Sequence, residues 1–243
     1  MLNFQQIVFR FVKPIAMNLI KKQGILLFAV VLVAHLFFIY NGQEDLRTLT
    51  KLLLLPLLAL YLYASAEKAG RNMNLPAFAG LFFSFIGDLL LTQSGELFFL
   101  LGMAAFIGTH ICNSIYFLKL QRLDFVKNNI ALIAGFVLVI VSGAVMAKLG
   151  STLGSFREPI ILYMVIISCM AVFAANTFNH TVLKHLAIRY FIPGAGLFVL
   201  SDALLALNKF YYHDTYLDIF VMLTYGAAQC LLVMGFSRRA GNR

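Results

Sequence analysis

The sequence predicts an all-α fold, a polytopic membrane bundle of eight transmembrane helices. Two observations lead to this fold class. Of the 243 residues, 61% are hydrophobic and only 12% are charged, whereas a soluble domain carries about 25% charged residues. Apolar runs of about 17 to 22 residues also recur along the whole chain, and each run is long enough to cross a bilayer as a helix.

A basic amphipathic helix is predicted to precede these spans, at residues 1–23. Apolar residues from Phe4 to Leu19 recur at helical spacing, and polar or basic residues such as Arg10 and Lys21 fill the other face. A helix of this kind lies in the membrane interface. Basic residues interrupt the stretch and no small-residue cleavage site follows, so a cleaved signal peptide is not expected.

Eight apolar spans follow, separated by connections too short for an extramembrane domain. By residue number they lie near 24–40, 48–66, 75–92, 97–118, 129–147, 160–177, 186–207 and 216–236. Residues 24–237 are therefore predicted to form one transmembrane domain, and residues 238–243 a basic tail.

The basic residues predict how the bundle is oriented. With the N-terminus inside, fourteen of the nineteen Lys and Arg residues lie on the inner side. The five on the outer side are Arg47, Lys51, Lys148, Arg157 and Lys209. By the positive-inside rule both termini are then cytoplasmic, and a bacterial inner membrane is the expected location. A basic face against anionic lipid accounts for the formal net charge of +9, so no nucleic-acid partner is expected.

An internal repeat is predicted from two similar spans. The segment LFFSFIGDLLL around Asp88 aligns with GLFVLSDALLA around Asp202, on the third and seventh spans. In the spans that follow, His110 lies 22 residues after Asp88 and Tyr225 lies 23 residues after Asp202. Because four spans separate the partners, the alignment predicts a parallel four-plus-four repeat about an axis near the membrane normal. Chance similarity between leucine-rich spans is the alternative interpretation.

Asp88 and Asp202 are the candidate catalytic residues. Of the ten acidic residues, only these two lie well inside predicted spans. Because a central aspartate costs about 2.5 to 3.5 kcal/mol on insertion scales, it is expected to face the bundle interior or a wet cavity. Both are predicted in the outer half of the bilayer, near the level of Lys51 and Asp218. A purely structural ion pair, for example between Asp88 and Lys51, is the alternative.

Four more polar residues are predicted near this pair. His110 and Asn113 share a face of the fourth span, and Tyr225 and Gln229 share a face of the eighth. A histidine in a bundle is more often a hydrogen-bonded core residue than a ligand, so His110 has both interpretations. No pair of candidate metal ligands has i, i+3 or i, i+4 spacing, and no metal site is predicted.

Five segments occur in a fixed order: LTKLLLLPLLAL, FSFIGDLLL, FLLGMAAFIGTHICNSIYFL, GAGLFVLSDALLALNKF and LTYGAAQCLLVMGF. Together they resemble the lysoplasmalogenase family, the YhhN-like integral membrane proteins, from about residue 25 to 237. The paired GD and SD motifs are the most specific part. The family's usual Lys-Pro near the start of the second span is present only in part, since Leu52 follows Lys51 and a proline comes later, at Pro56.

The resemblance implies an ether hydrolase that needs no cofactor. Its reaction would cleave the vinyl ether bond of a lysoplasmalogen to a fatty aldehyde and a glycerophospho-base, such as glycerophosphoethanolamine or glycerophosphocholine. Protonation of the β-carbon gives an oxocarbenium ion, water adds, and the hemiacetal collapses. Glycosidases manage a comparable cation with two carboxyl groups, and desolvation beside a like charge keeps one of such a pair protonated. Asp88 and Asp202 suit these acid and base roles, in either order.

The remaining polar residues are assigned to substrate binding. Lys51 is placed to meet the lipid phosphate. Water or the glycerol hydroxyl would be oriented by His110, Asn113, Tyr225 and Gln229. The expected partners are a lysophospholipid substrate and membrane lipid.

Two other functions stay open at this point. A proton-coupled transporter would also place carboxylates in a repeated bundle, although it would want a path to both faces. A non-enzymatic lipid-binding protein would tolerate Asp→Asn at both positions.

Overall fold

Eight long helices form the described part of the chain, as the sequence predicts. The computed structural model describes residues 13–66, 71–123 and 129–241. The helices are α1 (Lys13–Tyr40), α2 (Glu44–Ser65), α3 (Arg71–Leu91), α4 (Glu96–Leu120), α5 (Asn129–Leu149), α6 (Arg157–Asn176), α7 (Lys184–Tyr212) and α8 (Thr215–Gly241). Each contains a segment long and apolar enough to cross a membrane. The fold class is therefore confirmed, and the chain is an integral membrane protein.

Helices run across both of the predicted domain boundaries. Helix α1 runs without a break from Lys13 to Tyr40, so no change of helix marks residue 24. Residues 1–12, about half of the predicted interfacial helix, lie outside the described residues. At the other end the helix α8 continues to Gly241, within the residues predicted to form the basic tail.

Helix α8 lies at the centre of the bundle, and α5 lies at its edge. Helix α8 packs against α1, α2, α3 and α7, whereas α5 packs chiefly against α6. In the most apolar 18-residue stretch of each helix, 56% of the α8 residues are buried but only 11% of the α5 residues. A site between α8 and its neighbours is therefore shielded, while much of α5 faces the surroundings.

Helices α3 and α4 approach each other closely because glycines face large side chains. A Cβ atom on Gly87 would lie 2.7 Å from the ring of Phe106, and one on Gly102 would lie 2.8 Å from the Leu91 side chain. Small residues permit this kind of approach between helices in membranes. The contact sets the spacing between α4 and α3, the helix that carries Asp88.

The connection between α7 and α8 organises the end of the bundle that we call the predicted outer end. Helix α7 has an α-helical body, Ile192–Leu207, and finishes in a π-helical turn at Asn208–Tyr212. The Asn208 side-chain amide donates to the Asp214 carbonyl at 2.9 Å and to Asp218 Oδ1 at 2.7 Å. These bonds hold the start of α8 against the end of α7.

Candidate active site

A cavity of about 150 Å³ lies at the predicted outer end, between α2, α3, α4, α7 and α8. Asp88 and Asp202 both line it, together with Lys51 and Tyr225. These four residues belong to four different predicted spans, and the structure brings them to one place. Because the walls also include apolar side chains such as Phe106, a ligand in this cavity meets both charge and hydrocarbon.

Asp88 is held through both of its carboxylate oxygens. Lys51 Nζ lies 3.5 Å from Oδ1, and the Tyr225 hydroxyl donates to Oδ2 at 2.8 Å. The Asp88 side chain is only 3% exposed and that of Lys51 is 14% exposed. The ion pair that the sequence offered as a structural alternative therefore exists, and it forms part of the cavity wall.

A buried hydrogen-bond chain supports the Tyr225 side of Asp88. Gln229 Nε2 lies 2.9 Å from Ser84 Oγ and 3.4 Å from the Tyr225 hydroxyl. The Ser84 hydroxyl in turn lies 2.9 Å from that of Thr109. Gln229 thus reaches the carboxylate through Tyr225, and its contacts position that phenol.

Asp202 has a different pair of partners, Tyr163 and His110, and both contact the same carboxylate oxygen. The Tyr163 hydroxyl donates to Oδ2 at 2.5 Å, and His110 Nε2 lies 3.5 Å from that oxygen. His110 Nε2 also lies 3.0 Å from the Tyr163 hydroxyl. Because Tyr163 gives its one proton to Asp202, His110 must donate to Tyr163 through Nε2.

His110 is therefore part of the site through its contacts with Tyr163 and Asp202. Its side chain is fully buried, and its ring packs edge-on against Phe198 with centroids 4.7 Å apart. Among the described residues, Nδ1 has no hydrogen-bond partner. The histidine is thus both a core residue and a neighbour of the carboxylate.

Asn113 lies apart from the carboxylates. It is buried, and a Cβ atom on Gly80 would lie 3.1 Å from its Oδ1. Gly80 is eight residues before Asp88 on α3, or about 12 Å along the helix axis at 1.5 Å per residue. Asn113 is not among the described residues that line the cavity.

Three residues of the site were not singled out from the sequence. Tyr163 is the only tyrosine of the predicted sixth span. Nothing else in the sequence indicated that it belongs to the site. Arg47 and Lys209 are predicted only as charges on the outer side, but both line the cavity. Arg47 already contacts Glu44 at 3.2 Å and Asp218 at 3.4 Å.

Lys209 differs from Arg47 and Lys51, the other two cations of the cavity, because those two are held in ion pairs. Its Nζ lies 5.4 Å from the centre of the Phe99 ring, within reach of a cation–π contact. No carboxylate in the described part of the chain pairs with it. Lys209 and Lys51 therefore offer positive charge to an anionic group that enters the cavity.

Comparison with known proteins places the whole site inside one family match. The chain matches the YhhN family over residues 46–236. It is 32% identical to the lysoplasmalogenase TMEM86A of Bos taurus and 30% identical to that of Homo sapiens, in each case over 189 residues that cover 74% of both proteins. No solved structure is significantly similar to the chain. The site, from Lys51 to Gln229, lies within the matched residues.

Proposed function

The chain belongs to the YhhN family, and from that premise we propose that it is a lysoplasmalogenase. It would hydrolyse the vinyl ether bond of a lysoplasmalogen to a fatty aldehyde and a glycerophospho-base. The observation that carries the proposal is the cavity itself, which is lined by both Asp88 and Asp202. The two mammalian relatives named lysoplasmalogenase support the same reaction at the level of the family.

Asp202 is the proposed proton donor. It lines the polar cavity and also a neighbouring apolar cavity of about 70 Å³, so it stands where headgroup and fatty chain would meet. The β-carbon that must be protonated is the vinyl carbon on the side of the chain. Tyr163 and His110 both address Oδ2, which leaves Oδ1 to carry the proton that is delivered.

Asp88 is the proposed carboxylate partner. Its two oxygens contact the Lys51 ammonium group and the Tyr225 hydroxyl, so each oxygen has a fixed donor. Asp88 lines the polar cavity but not the apolar one. Its negative charge is therefore placed to stabilise the oxocarbenium ion from the headgroup side and to take a proton from water, as a glycosidase carboxylate does.

The proton transfers then balance over one turnover. Asp202 protonates the β-carbon, and water attacks the resulting cation while Asp88 takes the proton that water loses. The hemiacetal returns its hydroxyl proton to Asp202 as the carbon–oxygen bond breaks. Asp88 gives its proton to the departing glycerol oxygen. One water is consumed, and both carboxyl groups return to their starting states.

Lys51 and Lys209 are the proposed partners of the substrate phosphate, because both ammonium groups line the polar cavity. The orientation predicted from the basic residues would open this cavity toward the outer leaflet. Asn113, which lies against Gly80, has no direct part in this proposal.

Aldehyde release from lysoplasmenyl-ethanolamine by the purified protein tests the function. Asp88→Asn and Asp202→Asn should each lower the rate by about 10² to 10⁴, the usual contribution of acid–base groups. Asp45→Asn is the matched control, because Asp45 is exposed in the first turn of α2 and should leave the rate unchanged. The proposal fails if the wild type releases no aldehyde or if both site variants match it. Flux of intact lipid into liposomes without cleavage would favour transport instead.

A further inference from the structure

A cavity larger than the two at the candidate site lies away from the carboxylates, in a groove between α5 and α6. Its volume is about 860 Å³. The lining is almost wholly hydrocarbon, with Gly135 and Val139 on α5 facing Val172 on α6. Because α5 is the least buried of the spans, this groove is open along its side.

The groove adjoins the candidate active site through lining residues that the cavities share. Ser142, Met164 and Ser168 line both the groove and the apolar cavity of about 70 Å³. That smaller cavity is lined in turn by Asp202 and Phe106, which also line the polar cavity. The polar cavity, the apolar cavity and the groove therefore follow one another through shared walls, with Asp202 between the first two.

We propose that this groove binds the single fatty chain of the lysophospholipid substrate and limits its length near Gly135. The inference rests on the lysoplasmalogenase function proposed above. The occupant is a long unbranched hydrocarbon chain because the walls are apolar and the adjoining apolar cavity is lined by the acid that must meet the vinyl carbon. The small connecting cavity, far smaller than the groove, favours one chain over two.

Gly135 is the residue best placed to limit chain length. It lies seven residues from Ser142, about 10 Å deeper along α5 at 1.5 Å per residue. A Cβ atom at Gly135 would lie 3.7 Å from Val172 Cγ2, an ordinary contact distance. A larger side chain there is therefore accepted by the backbone and occupies the groove.

The variant Gly135→Leu tests the assignment in a competition assay. Hexadecenyl and octenyl lysoplasmenyl-ethanolamine are mixed in equal amounts, and the two aldehydes are measured in the same sample. In Gly135→Leu the ratio of long to short aldehyde should fall by about tenfold, because the far methylenes of the long chain lose their apolar contacts. The ratio does not depend on how much of the protein is folded.

Gly196→Leu is the matched control for that substitution. Gly196 is an exposed helical glycine on α7, and nothing lies within 4 Å of a Cβ atom built on it. It lines neither the groove nor the two cavities of the site. Its aldehyde ratio should equal that of the wild type.

The outcomes separate this inference from the function on which it rests. An unchanged ratio in Gly135→Leu, with both chains cleaved, overturns the groove and leaves the function standing. If Gly135→Leu cleaves neither chain, the same assay is run on Val172→Phe, which fills the same part of the groove from α6. A lowered ratio of long to short aldehyde in that variant supports the groove, and an unchanged ratio overturns it. A wild type that cleaves neither chain overturns the proposed function and the inference with it.

Discussion

Asp88 on α3 and Asp202 on α7 lie on the two spans that the sequence alignment relates, and each is held by two neighbouring helices. The partners, in the order of the helices that carry them, are Lys51 on α2, His110 on α4, Tyr163 on α6 and Tyr225 on α8. Helices α2 and α8 serve Asp88, whereas α6 and α4 serve Asp202. A shift of four spans exchanges the two sets, which is the pattern expected of a parallel four-plus-four repeat.

The equivalent positions nevertheless hold different chemistry. Where α2 presents the ammonium of Lys51 to Asp88, α6 presents the neutral phenol of Tyr163 to Asp202. Asp88 is 3% exposed and held at both oxygens, and Asp202 is 15% exposed and addressed at one. Similar surroundings with unlike partners are how two carboxyl groups acquire separate acid and base roles.

The largest expected effect comes from removing the two carboxylates themselves, one at a time. Asp88→Ala and Asp202→Ala should each lower aldehyde release by about 10² to 10⁴. Formate should then restore part of the rate of Asp88→Ala, because an added anion replaces the missing charge beside Lys51. Formate is ionised at neutral pH and has no proton to give, so it should not restore Asp202→Ala.

The rescue experiment is read from initial rates with and without formate, with acetamide as the uncharged control. Equal rescue of both variants would remove the asymmetry that the proposal assigns. Rescue of Asp202→Ala alone would reverse the two roles.

The next effect concerns the cation that only Asp88 possesses. Lys51→Met keeps the length of the side chain but leaves the buried carboxylate without its ammonium partner. Since pairing with a charged group contributes about 1.5 to 3 kcal/mol, kcat should fall by about tenfold to a hundredfold. Steady-state kinetics with lysoplasmenyl-ethanolamine measures this.

Lys209→Met is the matched control, because Lys209 lines the same cavity but has no carboxylate partner in the described part of the chain. It should raise KM by a few-fold and leave kcat nearly unchanged, as expected for a weakly held phosphate contact. If Lys51→Met also changes KM alone, Lys51 binds substrate without acting on Asp88.

The sequence could predict the carboxylates but not all of their partners. A carboxylate in an apolar span is costly, and this cost made Asp88 and Asp202 visible without any structure. A tyrosine in such a span costs much less, so Tyr163 gave no comparable signal. Its role depends on how α6 packs against α7, which the spacing of apolar residues does not specify.

The sequence was also an incomplete guide to which residues share a site on one helix face and to where a helix ends. The i, i+3 spacing of His110 and Asn113 predicted a shared face, but not that Asn113 would lie beside Gly80, well below Asp88. The seventh span was predicted to end at residue 207, where the apolar run stops. The helix continues to Tyr212 through a π-helical turn, since the polar Asn208 makes hydrogen bonds with the start of α8.

The smallest expected effect separates the two phenols. Tyr163→Phe and Tyr225→Phe each delete one hydroxyl and keep the ring, so each removes one hydrogen bond to a carboxyl group. Tyr163→Phe should cost about tenfold in kcat, near the upper end for a single hydrogen bond, because it also leaves buried His110 Nε2 without its phenol partner. Tyr225→Phe should cost less, about threefold, since Lys51 still holds Asp88.

A double-mutant cycle between Tyr163→Phe and His110→Phe shows whether the phenol acts together with the histidine. If Tyr163 and His110 form one unit with Asp202, the double variant should lose little more rate than the more damaging single variant, since groups in one hydrogen-bond network are not additive. Tyr225→Phe combined with His110→Phe provides the control, because these two residues contact different carboxyl groups, and their effects should multiply. Losses that multiply in both cycles would mean that His110 acts on Asp202 without Tyr163.

The single variants have their own contrary outcome. A larger loss in Tyr225→Phe than in Tyr163→Phe would place the more sensitive hydrogen bond at Asp88. It would contradict the expected order, which follows from the second, ionic partner that Asp88 has in Lys51.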